Sequence, residues 1–174
     1  MDVPVLETER LILREHRLDD FDAFATMWGD PDVVRFVGGK PSTLDESWAR
    51  FLRYVGHWQV LGFGFWAVEL REESRYVGDV GFADWRWTIE PSLDGVPEGG
   101  WVFSPAVHGR GLAVEAVHAA LAWIDRHYEA PTTTCLIHQD NARSIHLAET
   151  IGYREYARST FRNVPVVQFR RERP

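Results

Sequence analysis

The chain has 174 residues, 45% hydrophobic and 13% aromatic, with eight tryptophans and a formal net charge of −7. That is material for one domain with a sizeable core, residues 1–174, and too apolar for a disordered chain. No run approaches the ~18 apolar residues that span a bilayer, and the acidic balance lacks the basic face that nonspecific nucleic-acid binding needs.

Met1 to Arg10 carries acids and no apolar stretch, so it does not read as a signal peptide. Arg10 to His16 alternates as a first strand. Asp19 and Asp20 can cap a short helix carrying Phe21, Phe24 and Trp28, which Asp30-Pro31 breaks. Thr43 with Glu46 three residues on is a capping box. The helix it opens carries a stripe at Trp48, Phe51, Leu52 and Val55 and is expected to end by Gly56 or shortly after.

Phe63 to Leu70 and Tyr76 to Trp87 read as strands, Pro91 to Pro97 as a loop, and Gly100 to Phe103 as a third strand of a meander. Helical spacing returns at Ala113, Ala116, Val117, Ala120, Leu121 and Ile124. Thr132 to His138 is β-branched and strand-like, Asn141 to Thr150 a short helix closed by Gly152, and Glu155 to Phe161 with Val164 to Arg171 a closing strand pair. The order predicts an α+β fold: a single mixed, mostly antiparallel sheet flanked by helices.

The most informative stretch is His108-Gly109-Arg110-Gly111-Leu112-Ala113, between the strand at Trp101-Val102-Phe103 and the long helix. A glycine turn feeding a helix start leaves several amides without internal partners and pointing one way, a seat for phosphate or diphosphate. It is neither a Walker A loop nor a dinucleotide fingerprint, since Val114 stands where a third small residue belongs. By itself Gly-x-Gly is also an ordinary tight turn. Cys135 has no cysteine to pair with, and the seven histidines lack ligand spacing. The expectation is a packed thiol, a cytoplasmic protein and no metal.

About thirty residues on comes Asn141-Ala142-Arg143-Ser144, closed by Ile151-Gly152-Tyr153. With Leu6-Glu7-Thr8-Glu9-Arg10-Leu11, Asp30-Pro31-Asp32-Val33 and the glycine turn, this series resembles the GNAT-superfamily N-acetyltransferases. The branch it is most similar to acetylates ribosomal-protein N-termini. The resemblance implies acetyl-CoA as cosubstrate and a primary amine, a peptide N-terminus or a small molecule, as acceptor. The charge and the lack of a long apolar run point to no nucleic-acid or membrane partner, and monomer and homodimer stay open.

By that resemblance the amides around Gly109, Arg110, Gly111, Leu112 and Ala113 would hold the CoA diphosphate. His108 would contact phosphate or serve as a turn residue. The pantetheine arm would run along Trp101, Val102 and Phe103, with the amide of Val102 or Phe103 polarising the thioester carbonyl. Asn141 would meet the pantetheine, cap its helix, or do both. Ser144 would be a CoA contact, a donor to the leaving thiolate, or an exposed helix residue. Glu98, heading the strand that faces the thioester, is the first choice of base and otherwise a solvated acid. Asp84 is the second candidate, or binds the acceptor amine. Trp85 and Trp87 would wall an acceptor pocket or simply pack in the core. Many members carry a tyrosine acid in the last helix; here that position is Ala148. This departure supports an alternative, a CoA-binding sensor or partner domain with little or no turnover.

Overall fold

Eight strands of this chain pair into one sheet in a computed structural model that describes residues 2–174. They are β1 (Leu6–Glu7), β2 (Leu11–Arg14), β3 (Phe65–Leu70), β4 (Arg75–Ala83), β5 (Glu98–Phe103), β6 (Thr132–His138), β7 (Arg154–Phe161) and β8 (Val164–Glu172). Their spatial order is β1-β2-β3-β4-β5-β6-β8-β7. Every pair is antiparallel except β5 with β6. This is the mixed, mostly antiparallel sheet that the element order predicts. Two-residue β1 is an addition that periodicity is too short to detect.

The helices are α1 (Phe21–Trp28), α2 (Pro31–Val34), α3 (Leu44–Leu61), α4 (Leu112–His127) and α5 (Ala142–Thr150). Thr43 and Glu46 cap α3 reciprocally, as their spacing predicts. The rest of α3 corrects the sequence reading. It runs past Gly56 to Leu61 and stops at Gly62, whose φ of 75° is the left-handed geometry a helix end wants. Its buried stripe is Ser47, Phe51, Tyr54 and Trp58, rotated from the expected one, so that Trp48, Leu52 and Val55 are exposed. Asp30-Pro31 does not merely end α1. The Asp30 carboxylate accepts from the Asp32 N–H and starts α2, with Pro31 at its first position.

The sheet divides the apolar interior. On one side α4 lays Leu112, Ala116, Val117, Ala120, Leu121 and Ile124 against Leu11, Leu13, Val68, Val80 and Phe103. Elsewhere Phe24, Met27 and Trp28 of α1 pack with Phe51, Tyr54, Phe65 and Ala83. Below that second cluster the Asp79 carboxylate is fully buried. It is bonded by His16 Nε2 (2.9 Å), Trp28 Nε1 (3.2 Å) and Tyr76 Oη (2.8 Å), so its charge is satisfied by three groups converging from different elements. The cluster ties β4 to α1 and to the segment after β2.

The one parallel pairing matters most. β5 and β6 register only at Glu98 with Thr134, where the Thr134 N–H donates to the Pro97 carbonyl at 3.0 Å. Beyond that point β6 stays with β8 along seven residues while β5 stays with β4. A wedge therefore opens between β5 and β6 along Trp101 to Phe103.

Candidate functional site

The Ser104 N–H donates to the Val77 carbonyl at 2.9 Å, which sets the phase of the β4–β5 ladder. In an antiparallel pair the residues alternate in direction. Gly100 and Val102 therefore turn their main chain to β4, while Trp101 and Phe103 turn theirs into the wedge. This corrects one expectation: the Val102 amide is spent on the sheet, and the amides available to a thioester carbonyl are those of Trp101 and Phe103.

At the wedge's mouth the chain makes the glycine turn. Gly109 and Gly111 both sit at φ 75°, and Gly111 is the N-cap of α4. The Glu115 N–H is the first to reach a carbonyl of the helix, that of Gly111, at 3.2 Å. The amides of Leu112, Ala113 and Val114 have no partner in the preceding turn. His108, Gly109, Arg110 and Gly111 are exposed, so a ligand can reach this turn. His108 does something sequence alone does not show: its Nε2 meets the Phe103 carbonyl at 3.0 Å, tying the turn to the end of β5.

A second tie was not anticipated. Glu115 lies off the apolar stripe of α4 and receives Thr8 Oγ1 (2.6 Å), the Arg10 N–H (2.9 Å) and Arg10 Nε (2.7 Å). Partial burial raises its pKa, but those bonds outweigh it and hold the carboxyl below the usual range. Arg10 Nη1 also donates to the Arg110 carbonyl at 2.8 Å. The start of the chain thus clamps both the turn and the first turn of its helix. The sequence signal was present in Thr8-Glu9-Arg10 and Glu115, but they are more than a hundred residues apart.

Across the wedge lies α5. The Asn141 carbonyl oxygen accepts from the Ser144 N–H at 3.2 Å, so the capping reading holds. Its NH2 group is not used by that bond and suits a carbonyl of a bound arm. Ser144 Oγ accepts from Trp101 Nε1 at 3.3 Å, which leaves the hydroxyl proton to be donated. Ala148 is fully buried, and Tyr153 is buried against Thr133, their hydroxyls 2.8 Å apart. Neither supplies an acid from α5 to the wedge.

At the closed end of the wedge stand two carboxylates. Glu98 is half-buried, and Asp84 follows the residue that pairs with it, Ala83. Loss of solvent pushes the Glu98 pKa up to about 8; the Trp87 indole N–H eases it down and the Asp84 charge adds to the rise. The side chain of Asp84 is 8% exposed. One of its oxygens pairs with Arg86 Nη2 at 2.9 Å, while Oδ1 is buried without a partner. Trp87 Nε1 is buried against Glu98 and makes no well-formed hydrogen bond elsewhere. An orphan acceptor beside an acid of raised pKa is what a polar ligand would satisfy.

Trp85 and Trp87 lie beyond the end of β4, not on it, and their rings stack at 5.6 Å. Trp85 faces Tyr54, His57 and Phe65, and Trp87 faces Phe161 of the closing hairpin. They form an aromatic wall next to the carboxylates. Cys135 is buried, with its thiol pKa raised by loss of solvent and by Glu98, so it packs as a neutral group. Among the described residues no three His, Cys, Asp or Glu side chains gather as a metal site, and no helix is long and apolar enough to cross a membrane.

Comparison with known proteins bears on this geometry. The family model described as an acetyltransferase (GNAT) domain matches residues 10–154. An uncharacterized N-acetyltransferase p20 from Bacillus licheniformis is 25% identical over 172 residues, covering 94% of this chain and 93% of that protein. A solved putative GNAT-family acetyltransferase from Bordetella pertussis superposes with a TM-score of 0.87 at 31% identity, over 97% of this chain and 99% of that one. A ribosomal L7/L12 α-N-protein acetyltransferase in complex with coenzyme A has a TM-score of 0.78 at 13% identity, covering 97% and 98%. That last likeness is one of fold alone, so the ribosomal-protein branch is not established by it.

Proposed function

The chain belongs to the acetyltransferase (GNAT) family and is an acetyl-CoA-dependent N-acetyltransferase, and on that premise we propose how its residues divide the work. The amides of residues 109–113 seat the diphosphate of acetyl-CoA. The pantetheine arm enters the wedge along Trp101 and Phe103, whose amides stand in for the strand that β6 withholds. One of them donates to the thioester oxygen as charge gathers there. Asn141 holds the arm from α5.

The acceptor is a primary amine that reaches the thioester past Trp85 and Trp87. Its nitrogen attacks the carbonyl carbon, an N–C bond forms and the C–S bond breaks. The amine proton passes to Glu98, and coenzyme A leaves as a thiolate that Ser144 can meet with its hydroxyl proton. A thiol of pKa about 8.5 is a fair leaving group without a tyrosine acid. A base near 8 exchanges a proton with a peptide α-amine, also about 8, at little cost, whereas a lysine-type amine near 10.4 gives up its proton less readily. This favours an α-amine, such as a peptide N-terminus, over an alkyl amine. The lone buried thiol suits a reducing, cytoplasmic setting.

The observation that carries the reading is Glu98: an acid of raised pKa placed where β5 and β6 part. The sensor alternative rested on Ala148 and has no support from the rest of the site. In the test, kcat/KM is followed against pH with an alkyl amine acceptor, whose own pKa near 10.4 lies clear of the expected inflection. The wild-type profile should show an inflection near 8 that Glu98→Gln removes, with turnover lowered about a hundredfold or more. An unchanged inflection would show that Glu98 is not the base.

A further inference from the structure

The chain is acidic overall, yet the rim of the aromatic wall is basic. Arg53 of α3 lies over the Trp85 ring, its guanidinium carbon 4.9 Å from the centroid. Arg162, at the tip of the β7–β8 hairpin, lies over Trp87 at 5.1 Å and over Phe161 at 5.0 Å. Arg50, one helical turn from Arg53, covers Trp28 at 3.7 Å, and its Nε is buried without a hydrogen-bond partner. No carboxylate forms an ion pair with any of the three among the described residues. Arg53 is exposed as a residue, yet partial loss of solvent, and then the like charges of Arg50 and Arg162, pull its pKa below the ordinary value.

Like charges drawn together without an acid between them cost free energy unless something anionic joins them. Arg162 is held there at a further cost. Its φ is 49°, a left-handed conformation that a bulky residue rarely adopts, and Asn163 follows at 64°. The pair makes the two-residue turn the hairpin needs, where Asn-Gly would be the unstrained choice. An arginine in that place keeps a guanidinium over Trp87. Below the same two indoles lie Glu98 and the orphan oxygen of Asp84. The aromatic wall therefore carries arginines over its two indoles, with Glu98 against Trp87 and Asp84 close to Glu98.

Resting on the reading that this wall receives the acceptor, we infer that the acceptor is a dipolar amine. Its nitrogen lies at Glu98 and Asp84, and an anionic group, carboxylate or phosphate, lies against Arg53 and Arg162. A polyamine, which is cationic at every polar position, would place charge against the arginines and is disfavoured. Guanidinium groups suit carboxylate and phosphate because they can donate two parallel hydrogen bonds.

The test uses the full chain saturated with coenzyme A, titrated calorimetrically with three product analogues. These are N-acetylphenylalanine, its uncharged amide, and N-acetyl-O-phosphoserine amide. One or both anions should bind roughly tenfold or more tightly than the uncharged amide, the size of a charge-assisted contact; which anion does so identifies the group. Arg53→Gln and Arg162→Asn should each bring that ratio towards one, and Arg162→Lys should restore part of it. Asn is chosen because it tolerates the left-handed backbone, and a melting curve checks that each variant is folded. Equal affinity for all three analogues, no binding of any, or a preference for the anion that survives both substitutions would overturn the inference. None of these outcomes touches the Glu98 profile, which is measured by turnover.

Discussion

In the proposed division of work, the glycine turn at residues 108–113 and the carboxylate wall at 84–98 would bind the two halves of one reaction by opposite means. The turn would work through main-chain amides. It is built from six consecutive residues, exposed from His108 to Gly111, and indifferent to most side chains so long as Gly109 and Gly111 can hold φ 75°. The wall works through side chains. Glu98 and Asp84 come from two strand ends, Trp85 and Trp87 from the loop after β4, Arg53 from α3 and Arg162 from a hairpin. A donor shared across a family can be held by backbone geometry that tolerates drift. An acceptor particular to one enzyme needs side chains, each set by a separate element.

The contrast breaks most visibly at Gly111. Gly111→Glu would force a β-carbon into a left-handed backbone and place a carboxylate against the diphosphate. Coenzyme affinity should fall at least a hundredfold by calorimetry. Gly111→Asn separates the two causes, since asparagine accepts φ above zero and carries no charge. It should keep most of the affinity, because a β-carbon there meets only Arg10 Nη2 at 3.7 Å. If both variants bind as the wild type does, the turn is not the seat.

Asp84→Asn should act on the other region alone. Kd for acetyl-CoA should hold while KM for the amine rises several-fold, because the buried oxygen that lacks a partner is replaced by an amide. A change confined to the coenzyme term would place Asp84 in the wrong half. Glu115→Gln sharpens the comparison from the turn's side. It removes the charge that Thr8 and Arg10 converge on, so KM for acetyl-CoA should rise about three- to tenfold, of the order of one or two charge-assisted bonds, with kcat little altered. A fall in kcat at constant KM would contradict a positioning role.

The smallest effect expected is on stability. Glu98 has its folded pKa raised to about 8 from an ordinary 4.5, so between those values the folded chain binds more protons than the unfolded one. Stability contributed by the neutral carboxyl is full below the unfolded pKa and is lost as pH rises towards 8. The melting temperature of Glu98→Gln should therefore gain on the wild type by a few degrees between pH 5 and pH 9. A constant offset would mean that Glu98 ionises as it would in water.

What the sequence disclosed follows the same division. Local features were legible: the capping box at Thr43, the glycine turn, the stripe of α4 and the Asn141 cap each lie within a few residues. The stripe of α3 was misjudged because its tryptophans are not all inward. Trp48 leans on Phe21 at the surface while Tyr54, outside the expected stripe, is buried and packs against Trp85. The parity that turns the Val102 amide away from the wedge depends on a register fixed between Ser104 and Val77, which no local pattern encodes. The same holds for Arg10 on Glu115 and for Arg53 and Arg162 on the two indoles. Glu98 could be picked as an acid at a strand head, but its raised pKa needs the loss of solvent and the nearby Asp84 charge that only the folded chain provides.

The account stands on main-chain amides at residues 109–113 gripping a diphosphate. The most direct check compares acetyl-CoA with acetyl-pantetheine, which shares the thioester and arm but lacks the diphosphate and the phosphoadenosine it carries, in calorimetric titrations of the wild-type chain. The account predicts saturable binding of one acetyl-CoA per chain and affinity for acetyl-pantetheine weaker by about a hundredfold or more, the loss of two or more charge-assisted hydrogen bonds. Equal affinity for the two would contradict it.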